Sequence, residues 1–455
     1  MNKHIVLCLL LCALMVAFAL PPVARADFSP DSISTPYMLL MDADTGLVLS
    51  EKQGYTQFYP ASTTKILSCI IAIEMTQNLD ERFNVGPVTD RGSCMGLREG
   101  EEISMRDLLY GLMLVSGNDA ADAVAYKLAG GRSEFAELMN QKAAELGMTQ
   151  SNFVNANGLH DDAHVTTAYD MAVLARYAMQ NDTFRAIVST REYTTSPTSR
   201  NSQGYSLVNS NRLLATPEGR QNIEYAHATG IKTGNTIPAG YCLVASASKD
   251  GRNLILVLLG DNEYEVESEY RFQNAATIFD WAFESLTPVT PESLGLSTSF
   301  TLRVNNASSS DIGGGMLDAT AELSGFALSL MPDDISAIAE NPALITAAIT
   351  DSTALTAPIR QGDVVGTVTY SYNGTAIYTA NLIATRDVDD ISVPTATPGE
   401  LVIEEPPDES PRWLLVWILL AVLIIVAVLV IMLIASKKSG RIRSRRRGYY
   451  VTKRR

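Results

Sequence analysis

A chain of 455 residues with 46% hydrophobic residues carries enough apolar material for at least one large core, and it is too long for a single typical domain. Its formal net charge of -15 is unevenly spread: ten cations follow residue 436 and two precede residue 27, leaving 23 basic against 50 acidic residues between them. A surface that acidic argues against nucleic acid as a partner, because such binding depends on neutralising phosphates.

Residues 1–26 combine a basic start at Lys3, an apolar run from Ile5 to Leu20, and Ala24-Arg25-Ala26 before Asp27, the pattern of a secretory signal peptide cleaved after Ala26. Cys8 and Cys12 leave with it, and the odd number that remains (Cys69, Cys94, Cys242) excludes full pairing; Cys69 and Cys242 sit in apolar runs, as buried structural thiols do. From Tyr37 to Leu49 two apolar runs flank Asp-Ala-Asp-Thr-Gly, a hairpin signature. Helical periodicity follows over Lys65–Glu74, Met105–Val115, Ala120–Leu128, Arg132–Leu146 and Thr167–Met179. A second hairpin is expected from Leu243–Ser248 and Leu254–Leu259 around Lys-Asp-Gly-Arg, and a further helix from Tyr270 to Ser285. Strands at both ends of a helical block predict an α+β domain over residues 27–290 whose termini share one antiparallel sheet.

Short alternating segments such as Ser299–Val304, Ala321–Leu330 and Val364–Tyr372 predict a small all-β, sandwich-like domain over residues 295–390. Residues 391–412 are rich in Pro, Glu and Asp and read as a linker. Trp413 to Ala435 is an uncharged apolar run whose length suits the ~30 Å hydrocarbon layer. The basic residues 436–455 then place the C-terminus in the cytoplasm. The expected protein is a single-pass membrane protein with its folded part outside the cytoplasm.

Three motifs stand in order: Ser62-Thr63-Thr64-Lys65, Ser116-Gly117-Asn118 and Lys232-Thr233-Gly234. None is specific alone, since Ser246-Ala247-Ser248-Lys249 also fits the first pattern and Lys438-Ser439-Gly440 the third. Context separates them. Ser62 starts an apolar helix, where backbone N–H groups favour developing negative charge, and Lys65 falls one turn later on the same face. A desolvated lysine beside another cation, here Lys232, can lose its proton and act as the base for a serine nucleophile. Ser116 and Asn118 fall at a helix junction, suited to relaying a proton and fixing a substrate amide, while Lys232 and Thr233 end a strand and suit a terminal carboxylate. Gly234 permits close approach of a substrate backbone.

This trio resembles the serine DD-peptidase and β-lactamase superfamily, and specifically its low-molecular-mass D-alanyl-D-alanine carboxypeptidases. The likeness continues through Met41–Gly46, Pro60–Ile66, Glu99–Glu101, Asn155–Leu159, His164–Met171, Asn209–Leu214 and Lys232–Leu243, and more weakly from Ala357 to Val388. The resemblance implies a penicillin-binding transpeptidase fold and peptidoglycan stem peptides ending in D-Ala-D-Ala as substrate. It also implies an acyl-enzyme on Ser62, capture by β-lactams, and no cofactor or metal. Carried over by position, Ser62, Lys65 and Ser116 are catalytic, and Asn118, Lys232, Thr233, Gly234, Asn235 and Thr236 bind substrate. The backbone N–H groups of Ser62 and Asn235 would form the oxyanion hole.

A β-lactamase shares the trio but needs a glutamate-activated water, and Glu218 to Asn222 lies too close to Lys232 for that loop. Asn235 departs from the aromatic or imidazole residue common after this third motif, and the full apolar span replaces the family's amphipathic anchor. His160 and His164 lack the helix that a zinc pair requires, and Asp119 and Asp122 read as charges of a helix first turn.

Overall fold

In the computed structural model, which describes residue 29 and residues 32–261, 270–350 and 354–391, the two ends of the catalytic portion meet in one sheet. Strands β1 (Tyr37–Asp42) and β2 (Val48–Lys52) form the first expected hairpin. Its turn is set by Asp42, whose Oδ1 accepts hydrogen bonds from the Thr45 N–H and hydroxyl at 2.8 and 2.7 Å, with Gly46 supplying a φ of +82°.

Helix α1 (Lys65–Met75) is followed by the short pair β3 (Arg82–Asn84) and β4 (Glu102–Ser104). Then come α2 (Met105–Leu114), α3 (Asn118–Ala129), α4 (Arg132–Glu145), α5 (Ala168–Ala178) and α6 (Asp182–Ser189). The caps explain several boundaries: the side chains of Ser104, Thr167 and Asn181 accept the N–H groups of Asp107, Asp170 and Phe184. The periodic segments therefore match α1 to α5 within a few residues, whereas α6 is an addition to the expected helices.

After the pair β5 (Glu192–Thr194) and β6 (Ser206–Val208), strands β7 (Ala228–Thr236), β8 (Gly240–Lys249) and β9 (Arg252–Asp261) complete the main sheet in the order β2-β1-β9-β8-β7. All its pairings are antiparallel, and Tyr37 faces Leu259 in the β1–β9 register. The sheet is covered on both sides. Leu39, Met41, Ile255, Val257 and Leu259 pack into the helical core, while their neighbours Met38, Leu40, Leu254, Leu256 and Leu258 pack against Phe272 and Phe279 of α7 (Tyr270–Ser285). Two apolar faces at period two give the continuous apolar runs seen in the sequence.

The C-terminal part contains β10 (Thr287–Val289), β11 (Ser299–Arg303), β12 (Met316–Ala321), β13 (Leu328–Leu330), α8 (Pro332–Glu340), β14 (Ile345–Ile349), β15 (Val364–Tyr372) and β16 (Thr375–Ala384). Five strands form a sheet in the order β11-β12-β16-β15-β14, and β10 pairs with β13. The expected strand Ala321–Leu330 is corrected: the ladder stops at Ala321, the chain turns at Ser324-Gly325, and β13 begins at Leu328. Helix α8 is a second addition, started by Pro332 at its first turn with Asp333 and Asp334 behind it. The apolar cluster under α7 runs without a break into Leu317, Val368 and Leu382, so this β-rich part shares a core with the sheet above it.

No helix among the described residues is long and apolar enough to cross a membrane. The expected signal segment 1–26, the linker from residue 392, the span 413–435 and the tail 436–455 lie outside the described residues. Leu256 is fully buried where the sheet meets α7. Leu256→Ala should lower the unfolding free energy by about 2–5 kcal/mol, read from urea denaturation of residues 27–410.

Candidate active site

Pro60 leads into one 3-10 turn, Ala61–Thr64, that passes directly into α1. Residues three apart eclipse in that geometry, so Lys65 lies over Ser62 with Nζ 2.9 Å from Oγ. Ala61 adopts a φ of +49°, a left-handed conformation that a residue with a Cβ holds only when its surroundings impose it. Two glycines do so. A Cβ on Gly158 would sit 1.9 Å from the Ala61 carbonyl oxygen, and one on Gly234 would sit 3.1 Å from both Pro60 O and Ser62 N. The Ser62 turn is thus clamped between β7 and the loop after α4.

Lys65 has no solvent exposure. Its Nζ lies 2.7 Å from Asn118 Oδ1 and 2.5 Å from Asn157 O, in addition to Ser62 Oγ. Burial, followed by the charge of Lys232, pushes its pKa well below the ordinary lysine value. A neutral amine has two N–H bonds and one lone pair. The two carbonyl oxygens take the two N–H bonds, which leaves the lone pair for the Ser62 hydroxyl. The Asn118 amide is oriented for this by its own Nδ2, which donates to Arg91 O at 2.8 Å.

Ser116 lies between α2 and α3 with a φ of +61°, the second strained non-glycine residue at the site. Among the described residues no hydrogen bond of its hydroxyl occurs, so its Oγ is available to a bound substrate. Asp119 is buried and its carboxylate accepts the N–H groups of Met95, Gly96 and Leu97 at 3.0, 2.7 and 2.8 Å. Asp122, also buried, accepts the Thr89 N–H and pairs with Arg132 at 2.7 Å. These two carboxylates anchor the loop over the site. Cys94 in that loop is a half-buried thiol whose pKa is raised, mainly by burial.

On the opposite wall, β7 is the edge of the main sheet and carries the third motif. Lys232 is buried, and burial together with the Arg271 charge lowers its pKa to about 7. Thr233 Oγ1 shares a hydrogen bond with Ser210 Oγ at 2.9 Å. Asn235 is exposed and Thr236 half-buried, at the outer end of the strand. The structure therefore brings Ser62, Lys65 and Asn118 into direct contact and sets Gly234 against the Ser62 turn. Sequence reasoning missed Asn157, Gly158, Ser210 and Arg271. Arg271, on α7, donates to Gly234 O at 3.1 Å and stacks on Tyr241 at 4.8 Å. The Asn-Gly pair at Asn157-Gly158 was a visible turn signal, whereas nothing local marks the other two.

The competing sites dissolve on inspection. Ser246 lies inside β8 with its hydroxyl against Thr229 at 2.8 Å. Glu218, in a turn, and Asn222 are both exposed. His160 pairs with exposed Asp162, while His164 is buried with both ring nitrogens bonded within the protein.

The D-alanyl-D-alanine carboxypeptidase family profile matches residues 24–263, and the C-terminal domain of penicillin-binding protein 5 matches residues 330–390. The chain belongs to the D-alanyl-D-alanine carboxypeptidase family. It is 32% identical over 268 residues to the carboxypeptidase DacF of Bacillus subtilis, covering 57% of this chain and 66% of that one. It is 30% identical over 384 residues to DacC of Escherichia coli, covering 81% and 87%. Penicillin-binding protein 5 from Haemophilus influenzae superposes with a TM-score of 0.56 at 26% identity, covering 80% of this chain and all of that one. The enzyme is thus a serine-type carboxypeptidase with the fold expected of that family.

Gly158→Ala forces a side chain into the Ala61 carbonyl at a φ of +78°. D-alanine release from a D-Ala-D-Ala peptide should fall by about a hundredfold, since displacement of a reacting atom by ~1 Å costs that order. A wild-type rate in the folded variant would show that the clamp is dispensable.

Proposed function

We propose that this enzyme removes the terminal D-alanine from peptidoglycan stem peptides through an acyl-enzyme on Ser62, and that β-lactams trap it at that stage. The observation that carries the reading is the buried Lys65 amine, whose Nζ lies 2.9 Å from Ser62 Oγ. Ser62 Oγ attacks the carbonyl carbon of the D-Ala–D-Ala bond and its proton passes to Lys65 Nζ. The backbone N–H groups of Ser62 and Asn235 receive the tetrahedral oxygen. Ser116 relays the proton to the leaving amine, D-alanine departs, and water cleaves the ester.

Lys232 and the paired hydroxyls of Thr233 and Ser210 suit the substrate carboxylate, and the edge position of β7 lets an extended peptide lie alongside it. Asn118 and Thr236 flank the same path. A β-lactam enters by the same attack, but its leaving amine stays tethered to the acyl group.

The anchoring belongs to the same proposal. The signal segment 1–26, the uncharged run 413–435 and the cationic tail support a single-pass protein whose catalytic part faces the cell wall. Peptidoglycan stem peptides and membrane lipid are then its partners.

Intact-mass spectrometry of residues 27–410 after brief exposure to penicillin tests the acyl-enzyme. Wild type should gain one penicilloyl mass, and both Ser62→Ala and Lys65→Ala should gain none while melting as folded proteins. An adduct in folded Lys65→Ala would sink the mechanism. A second expectation concerns pH. A carboxylate binds the protonated form of Lys232, whose pKa lies at about 7 before substrate arrives. KM for the peptide should therefore rise as pH increases through about 7, and a KM independent of pH between about 6 and 9 would remove Lys232 from carboxylate binding.

A further inference from the structure

We infer that His164 is a positioning residue for catalysis, acting through Thr64 on the carbonyl of Ala61 and so on the angle at which Ser62 is presented. The inference rests on Ser62 being the nucleophile. His164 lies a hundred residues from the turn it holds, and it is 2% exposed. The Thr64 hydroxyl donates to Ala61 O at 2.7 Å, which commits its only proton. The 2.8 Å contact between Thr64 Oγ1 and His164 Nε2 must then be donated by the ring, so Nε2 carries a hydrogen. The Val154 N–H donates to Nδ1 at 3.2 Å, so Nδ1 carries none. Every member of this chain has its role fixed by its neighbour: backbone N–H, neutral imidazole, hydroxyl, carbonyl.

The end of the chain is the strained point. Ala61 holds a φ of +49°, and its carbonyl is boxed between the Thr64 hydroxyl and Gly158. The loop that supplies His164 also supplies Asn157 O to Lys65 Nζ, so one segment orients both the nucleophile turn and the base. The ring makes an edge contact to Phe153 at 5.5 Å, and the backbone N–H of His164 donates to Asp161 O at 2.9 Å, which holds the residue in its loop. Burial holds its pKa at about 4, which keeps the ring in the neutral form that the relay needs.

The test uses residues 27–410 and a fluorescent penicillin, reading the acylation rate constant and the noncovalent dissociation constant separately, with melting temperature alongside. His164→Phe keeps the ring and the Phe153 contact but removes both nitrogens; Thr64→Val removes the hydroxyl; Thr64→Ser restores it. The expected result is an acylation rate at least about tenfold lower in His164→Phe and in Thr64→Val, with dissociation constants unchanged. The double variant should be no slower than the slower single one, and Thr64→Ser should acylate at the wild-type rate. Wild-type rates in the folded single variants, or costs that multiply in the double variant, overturn the relay. If His164→Phe does not fold, the Thr64→Val and Thr64→Ser pair decides alone. Absence of any adduct in wild type would instead reject the nucleophile assignment.

Discussion

Removing water from one lysine organises this structure. Lys65 is a full-length side chain with no solvent exposure, and the protein meets the desolvation cost with carbonyl acceptors and not with a counter-charge. A carboxylate in place of Asn118 Oδ1 or Asn157 O would hold the ammonium charged, and a charged ammonium cannot take a proton from serine. Neutral carbonyls satisfy the N–H groups and leave the amine basic. After burial, the largest influence on its pKa is the charge of Lys232, which acts in the same direction.

The remaining architecture follows from keeping that environment closed. Four segments distant in sequence must converge on one nitrogen: the turn before α1, the junction of α2 and α3, the loop at Asn157, and β7. The carboxylates that the region does contain make their hydrogen bonds elsewhere and serve as anchors. Asp119 binds three successive backbone N–H groups of the loop over the site, and Asp122 is tied to Arg132 and Thr89. Their negative charge is thereby spent on rigidity in the loop while Lys65 keeps only neutral partners. The positive φ values at Ala61 and Ser116 belong to the same arrangement, because residues with side chains are held there by packing on every side.

What the sequence made legible follows from the range of the interactions concerned. Ser62 and Lys65 are one turn apart, so their alignment was readable from spacing alone. The hairpins β1–β2 and β8–β9 were readable for the same reason, and the long buried helices α1 to α5 carried their periodicity openly. Asn157 was not readable, because its contribution is a backbone carbonyl 92 residues from Lys65, and any residue type supplies a carbonyl. Gly158 offered half a signal, an Asn-Gly pair that reads as a turn but not as a turn pressed against Ala61. His164 was visible as one of two histidines four apart, a spacing that points first to metal. Only its partners reveal a hydrogen-bond relay. Helix α8 began with Pro-Asp-Asp, a start signal obscured by the alternating strands around it.

The two cations of the site illustrate how one physical effect serves opposite ends. Burial lowers the pKa of both Lys65 and Lys232, yet the first has to stay neutral and the second has to become charged. Their surroundings divide the roles. Lys65 is closed off by Asn118, Asn157 and Ser62, so burial disfavours its charged form. Lys232 lies on the edge strand, and burial, followed by the charge of Arg271, holds its pKa at about 7. Substrate then supplies the charge that the protein withholds. On the proposed reading, a bound carboxylate favours the charged form of Lys232, and that cation keeps Lys65 unprotonated until Ser62 gives up its proton. Recognition of the carboxylate and activation of the nucleophile are coupled through the repulsion between two buried amines.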